Sequence, residues 1–522
     1  MNKVVVFNSA RGRRRLSLLL VVALMLPLVA VTPVQAPTAA RVQPVLLQMA
    51  AQQPDQVVRV VVQKTMKDDW VEQAVSARGG KITQDLSIIN AFAAEIRAKD
   101  VAQLASADGV RWVSLDAPVT HSGEPIDTTE LTSAYVKTVG ADRIWNEGPA
   151  YLQGQGVAVA VVDSGDCQNN GDTCNDLRGP NGLSRVVAAT SMLSGPGSGP
   201  ADLYGHGSLI EGLVGGTGIG LHGKYMGIAP NVNLVSVRIA NNLGQALTSD
   251  VVAGLQWVLV NKATFNIRVV NLSLNSTTAE SYHTSPLDAA CEVLWFNGIV
   301  VIVPAGNNGT ATLYPPANDP FVITVGATDD KGTSSLADDE LASFSAYGTD
   351  QTGAVKPDLV APGKNLISIL PKTKTRIWKD HQSNYTGESA PNEHYMRVSG
   401  TSFAAPVVSG AVALLLQDEP NLTPDQVKYR LKATANKNWP GYNATVAGAG
   451  YLDAYATVHG TSTASANTGL AASQLLWTGS TPVTWGSVDW NSVDWNSVDW
   501  NSVDWNSVDW NSVDWNSDYW GQ

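Results

Sequence analysis

Cysteine is scarce in this chain of 522 residues, which has three, too few for a fold held by a disulfide framework. Basic charge is also short: 34 Lys and Arg stand against 46 Asp and Glu, a formal net charge of −12. That balance argues against nucleic acid and anionic membrane surfaces as partners. Beyond the N-terminus, no stretch reads as long and apolar enough to cross a bilayer. Apolar residues are plentiful. At 44% of the chain they suffice for a large core, and the length suggests two or three units at ~100–200 residues per domain.

The N-terminus reads as an export signal. Arg11, Arg13, Arg14 and Arg15 precede an apolar run from Leu16 to Val31, followed by the small-x-small pattern Val34-Gln35-Ala36. Pro37 argues against cleavage there and moves the expected end to Ala39 or Ala40. The alternative is a single membrane anchor, and the paired arginines also permit the twin-arginine route. In an exported chain, Cys167 and Cys174 of "DCQNNGDTCND" are candidates for a disulfide, since two thiols make a poor metal site. Cys291, in "AACEVLWF", reads as a buried hydrophobe.

After the signal (1–40), residues 43–119 alternate strand and helix patterns. "VVRVVVQK", "KITQDLSI", "AFAAEIRA" and "VRWVSLDAPV" read as strands, "DDWVEQAVSARGG" and "AKDVAQLASADG" as helices. The order β-α-β-β-α-β implies a small α+β unit. A connector without periodicity follows (120–135). Over 136–458, apolar β-branched runs such as "GVAVAVVDSG", "RVVNLSL" and "GIVVIVPAGN" alternate with helical segments. Such runs fit a parallel sheet buried on both faces, so the expected class is α/β, doubly wound, with helices on both faces. Residues 459–484 read as a small, polar linker. The tail, 485–522, repeats Asn-Ser-Val-Asp-Trp five times from Asn491 to Trp515.

In a doubly wound sheet, ligands bind beyond the carboxyl ends of the strands. Asp163 ends the strand "VAVAVVD", which puts a carboxylate there. His206 lies between two glycines at the start of a helical pattern, where it could equally serve the helix terminus. Ser402 opens the helix "TSFAAPVVSGAVALLL", and Pro406 sits four residues on. A proline gives no N–H and crowds the carbonyl four residues earlier, so both effects fall on Ser402. Asn307, after "VIVPAG", offers a neutral side-chain donor at the same rim, although Asn before Asn-Gly also forms turns. A hydroxyl, an imidazole, a carboxylate and an oxyanion donor are the requirements of nucleophilic acyl transfer.

In that order the chain resembles the subtilisin-like serine proteases across about 136–457, through "VVDSG", "GHGS", "GTSFAAPVVSG" and "PAGNNG". The resemblance implies Ser402 as nucleophile, His206 as general base and then acid, Asp163 as its orienting carboxylate, and Asn307 with the Ser402 amide as oxyanion donors. It makes "VNLSLN", with Ser273, Leu274 and Asn275, the cleft edge for an extended peptide. Residues 43–119 would be a propeptide that inhibits the enzyme and is cut off by it. A permanent N-terminal domain is the alternative. The implied product is a secreted, monomeric serine endopeptidase acting on proteins or peptides and needing no cofactor. Structural calcium is compatible with the family, but no ligand pattern is identifiable. Asn275 and Ser276 replace the family's usual two glycines, and Glu211 stands where a small apolar residue is usual. A rival reading is an inactive protease-like binding protein that displays the tail.

Five-residue spacing turns successive tryptophans by about 500° on a helix, so no single stripe forms. Half of the sixteen tryptophans lie from Trp485 onward. Disorder, aromatic stacking on a cell-surface glycan or protein, and a stacked repeat are the three readings.

Overall fold

The computed structural model describes residues 41–117, 125–169, 172–195, 197–372 and 375–476. The expected signal and the Trp-rich repeats lie outside them. The chain divides into two compact units at about residue 119.

The first unit is a four-stranded antiparallel sheet in the order Lys81–Leu86, Ala91–Arg97, Val57–Lys64, Val110–Leu115. In the strand Val57–Lys64 the valines at 58, 60 and 62 are buried while Val57 and Arg59 face out, the period-2 alternation of a half-covered sheet. Helices Trp70–Ser76 and Ala98–Ala105 fall where the sequence places them. A further helix, Pro44–Gln52, precedes the expected order. Pro44 occupies its first turn, where a missing N–H costs nothing.

The second unit is built on an eight-stranded sheet. Its order runs Glu340–Leu341, Ile323–Asp329, Val300–Pro304, Ile267–Asn271, Ala158–Asp163, Asn233–Arg238, Val186–Ser191, with Leu359–Pro362 also paired to Ile323–Asp329. All pairings are parallel except that of the short Glu340–Leu341 strand. The strand Ala158–Asp163 is buried at every residue, as its unbroken apolar run requires. Successive strands are laid first on one side of it and then on the other. That reversal of direction opens a crevice at the carboxyl edge, where Asp163, Asn271 and Pro304 end their strands.

Three expectations need correcting. The 125–135 stretch, although Pro125, Asp127, Thr129, Glu130 and Thr132 are exposed, is no loose connector: Ile126 N–H donates to Asn146 at 2.7 Å, Thr132 N–H to the Lys224 carbonyl at 2.9 Å, and Leu131 is buried. The polar stretch after His459 is likewise pinned as far as Leu476. Asn467 donates to Asp425 at 2.8 Å, and the Ser473 amide to Glu292 at 2.7 Å. Small polar composition conceals such bonds to buried acids. Finally, the 18-residue helix Thr401–Asp418 is long and apolar enough to cross a membrane, with mean hydropathy 1.3, yet 89% of it is buried within the protein.

Candidate active site

At the sheet's carboxyl edge, Asp163 and His206 meet directly. His206 Nδ1 lies 2.9 and 3.0 Å from the two Asp163 carboxylate oxygens, and neither side chain is exposed. A carboxylate only accepts, so Nδ1 carries the proton and Nε2 is the basic nitrogen. Burial pushes the Asp163 carboxyl above its ordinary value, opposed by the His206 charge, its hydrogen bond and the Ser164 amide at 2.7 Å.

Backbone and side-chain bonds hold the pair in place. Asp202 accepts from the Ser164 hydroxyl (2.8 Å), the Gly205 amide (2.6 Å), and the Ser208 amide and hydroxyl (2.9 and 2.8 Å). It therefore ties the end of the Asp163 strand to the first turn of the helix His206–Gly215. The Gly207 amide adds a bond to Ser164 Oγ at 2.9 Å. A Cβ on Gly207 would overlap the Gly165 carbonyl oxygen, so glycine is required beside the histidine for closeness. Nothing in the sequence around Asp202 singles it out.

Ser402 is the second residue of the helix Thr401–Asp418 and is 6% exposed. The next residue, Phe403, packs its ring against the His206 imidazole with centroids 5.2 Å apart, so the Asp163–His206 pair adjoins the first turn of the Ser402 helix.

Asn307 is tied to the same turn. Its Oδ1 accepts from the Thr401 amide at 2.8 Å and the Thr401 hydroxyl at 2.9 Å. An amide N–H can only donate, which fixes the carboxamide with Nδ2 at its other end. The Thr401 hydroxyl also accepts from the Gly306 amide at 3.1 Å, and φ of +107° at Gly306 suits glycine. Thr401 is thus a site residue, holding Asn307 to the Ser402 helix.

Along the expected cleft edge, the side chains of Ser273 and Leu274 are buried and Asn275 is half-buried. Ser273 Oγ donates to the Ser402 carbonyl at 2.7 Å. The Asn275 carboxamide crosses to the Pro304 carbonyl at 3.0 Å, and its Oδ1 would lie 3.6 Å from a Cβ on Gly306. The added side chain spans two segments that both reach the Ser402 turn.

Among the described residues Glu211 has no basic partner within salt-bridge distance. It is fully buried, and burial first, then the charges of Asp166, Asp202 and Asp163, hold its carboxyl well above the usual range. Cys167 and Cys174 are bonded, with Cα atoms 5.5 Å apart. Cys291 is buried, and burial pushes its thiol well up. Among the described residues no group of three or more His, Cys, Asp or Glu is placed to hold a metal ion.

A doubly wound sheet carrying a buried aspartate–histidine pair beside a serine at a helix mouth is the frame of a serine hydrolase. Residues 154–451 match the model of the Subtilase family of peptidases, and the chain belongs to that family. It is 37% identical over 316 residues to "Serine protease AprX" of Bacillus subtilis, covering 59% of this chain and 67% of that protein. It is 28% identical over 368 residues to "Subtilisin E" of the same species, covering 70% and 80%. Fervidolysin of Fervidobacterium pennivorans superposes with a TM-score of 0.49 at 22% identity, over 78% of this chain and 61% of that one, a likeness on which nothing further rests. The protein is accordingly a subtilisin-like serine peptidase.

Proposed function

We propose that the protein is an exported endopeptidase, made as a precursor, that cuts peptide bonds through an acyl-enzyme on Ser402. His206 Nε2 takes the hydroxyl proton as Ser402 Oγ adds to the scissile carbonyl carbon, then gives that proton to the departing amine. A water, deprotonated by the same nitrogen, releases the acyl group. Asp163 fixes the tautomer and stabilises the imidazolium. Asn307 Nδ2 and the Ser402 amide hold the tetrahedral oxygen, the amide belonging to a helix's unpaired first turn. The segment 273–275 is the edge along which the substrate chain lies.

The observation that carries this reading is the buried Asp163–His206 contact of 2.9 Å adjoining the Ser402 turn. Residues 43–119 would be the propeptide: they fall in a compact unit of their own and precede the matched family region. The N-terminal arginines and apolar run support export, and the tryptophan repeats support attachment to a surface glycan or protein. A monomer is the proposed state. A fluorophosphonate probe reacts only with an activated serine. Labelling of the processed chain, abolished in Ser402→Ala, is the expected result. No labelling after removal of 43–119 would overturn the enzyme reading and leave the binding protein.

A further inference from the structure

The first turn of the Ser402 helix lacks a hydrogen bond that its sequence makes impossible. In an α-helix the carbonyl of residue i accepts from the amide of i+4, but four residues after Ser402 is Pro406, inside the helix and without an N–H. The carbonyl has another donor. The Ser273 hydroxyl reaches it at 2.7 Å, Asn271 Nδ2 donates to Ser273 Oγ at 2.7 Å, and the Ser409 hydroxyl donates to Asn271 Oδ1 at 2.9 Å. The Ser409 hydroxyl also lies 3.1 Å from the Ala405 carbonyl. All three side chains are fully buried.

The chain has one possible direction. A carbonyl can only accept, so Ser273 must spend its single proton on Ser402. Its oxygen then accepts from the Asn271 amide, which turns Oδ1 toward Ser409. Bonds aligned this way polarise one another in a buried setting.

We propose that Ser273 is a positioning residue for Ser402, replacing the bond that Pro406 removes. The proposal rests on Ser402 being the nucleophile. An ordinary helical bond would fix Ser402 only against its own helix. The Ser273 bond fixes it against the sheet edge, because Asn271 ends the strand Ile267–Asn271, which pairs directly with Ala158–Asp163. The nucleophile's backbone and the carboxylate that orients its base thus share one rigid support. Pro406 keeps the carbonyl from turning into the helix, and Ser273 takes it up.

The test is the rate of fluorophosphonate labelling in Ser273→Ala, Pro406→Ala and the double variant, with Ser273→Thr as the variant that keeps the hydroxyl. Ser273→Ala should slow labelling about tenfold or more, as loss of one buried hydrogen bond at the reacting residue allows. Ser273→Thr should recover most of it. On the Pro406→Ala parent, whose restored amide can donate to the same carbonyl, Ser273→Ala should cost roughly threefold or less. Equal losses on both parents, no loss on the first, or a Pro406→Ala parent that does not label would overturn the proposal. If Ser273→Ala does not accumulate folded protein, its recovery as labelled protein on adding Pro406→Ala counts for the proposal, and failure to recover counts against it. An unlabelled parent chain would instead sink the acyl-enzyme reading itself.

Discussion

Glu211 lies one turn after His206, fully buried, with Asp166, Asp202 and Asp163 as its charged neighbours. A carboxylate there would be desolvated and repelled, so the side chain keeps its proton to a higher pH than an ordinary glutamate. The direction of the linkage follows. A carboxyl whose folded value lies above its unfolded one binds its proton more tightly in the native state, so the stability it contributes is fully present below the unfolded value near 4.5 and is lost as pH rises through the folded value. Glu211→Gln keeps the shape and removes the titration. In the Ser402→Ala background, which prevents self-digestion, it should raise Tm at pH 9 by about 2–4 °C, and the gain should shrink toward zero near pH 4. A gain of the same size at both pH values would show that Glu211 titrates alike in the folded and unfolded chain, with no raised folded value. The sequence marks Glu211 as out of place beside a histidine. It does not reveal the remedy, because the three acids around it come from residues 9 to 48 positions away, and among the described residues none of its charged neighbours is a cation.

Between elements, the critical joint is where the loop after Val300–Pro304 meets the Ser402 helix. Thr401 makes three bonds across that joint: its hydroxyl accepts from the Gly306 amide and donates to Asn307, and its amide donates to the same Asn307 oxygen. Thr401→Val removes the hydroxyl at nearly constant volume and takes from Asn307 Oδ1 one of its two bonds to Thr401. Losing about 1–1.5 kcal/mol of hydrogen bonding at the oxyanion donor should lower kcat about 5–15-fold with little change in KM. A rise in KM at constant kcat would place Thr401 in substrate binding instead. Asp163, His206, Ser402 and Asn307 stand out in the sequence because each sits at an element end flanked by glycine, proline or an apolar run. Thr401 and Asp202 do not. Their work is to accept or donate to backbone groups brought near by the fold, and no local pattern records that. The small helix Pro44–Gln52 escaped for a related reason: "PVLLQMAAQ" is short, with one fully buried leucine, Leu46. The same limit applies to Glu393–Val398 and Tyr385–Ala390, the two polar strands that form a three-stranded sheet with Leu366–Pro371.

At the scale of the whole molecule, the parallel sheet is legible because its strands are buried on both faces and so read as unbroken apolar runs. Its margins are not, since residues 125–135 and 466–476 are secured by hydrogen bonds rather than by apolar periodicity. The two compact units raise a question about how the chain matures. If the peptidase body itself frees residues 43–119, the first cut must use the same imidazole as later turnover, because removing a serine proton needs a base in contact with it. His206→Ala, made alone in a host lacking related proteases, should therefore accumulate as the uncut precursor, with intact mass and N-terminal sequence showing residues 43–119 still attached. Mixing in a trace of active enzyme should restore the cut, since the severed bond is then a substrate like any other. Maturation of His206→Ala unaided would mean that a different protease performs the step, and the precursor would be a target of another enzyme.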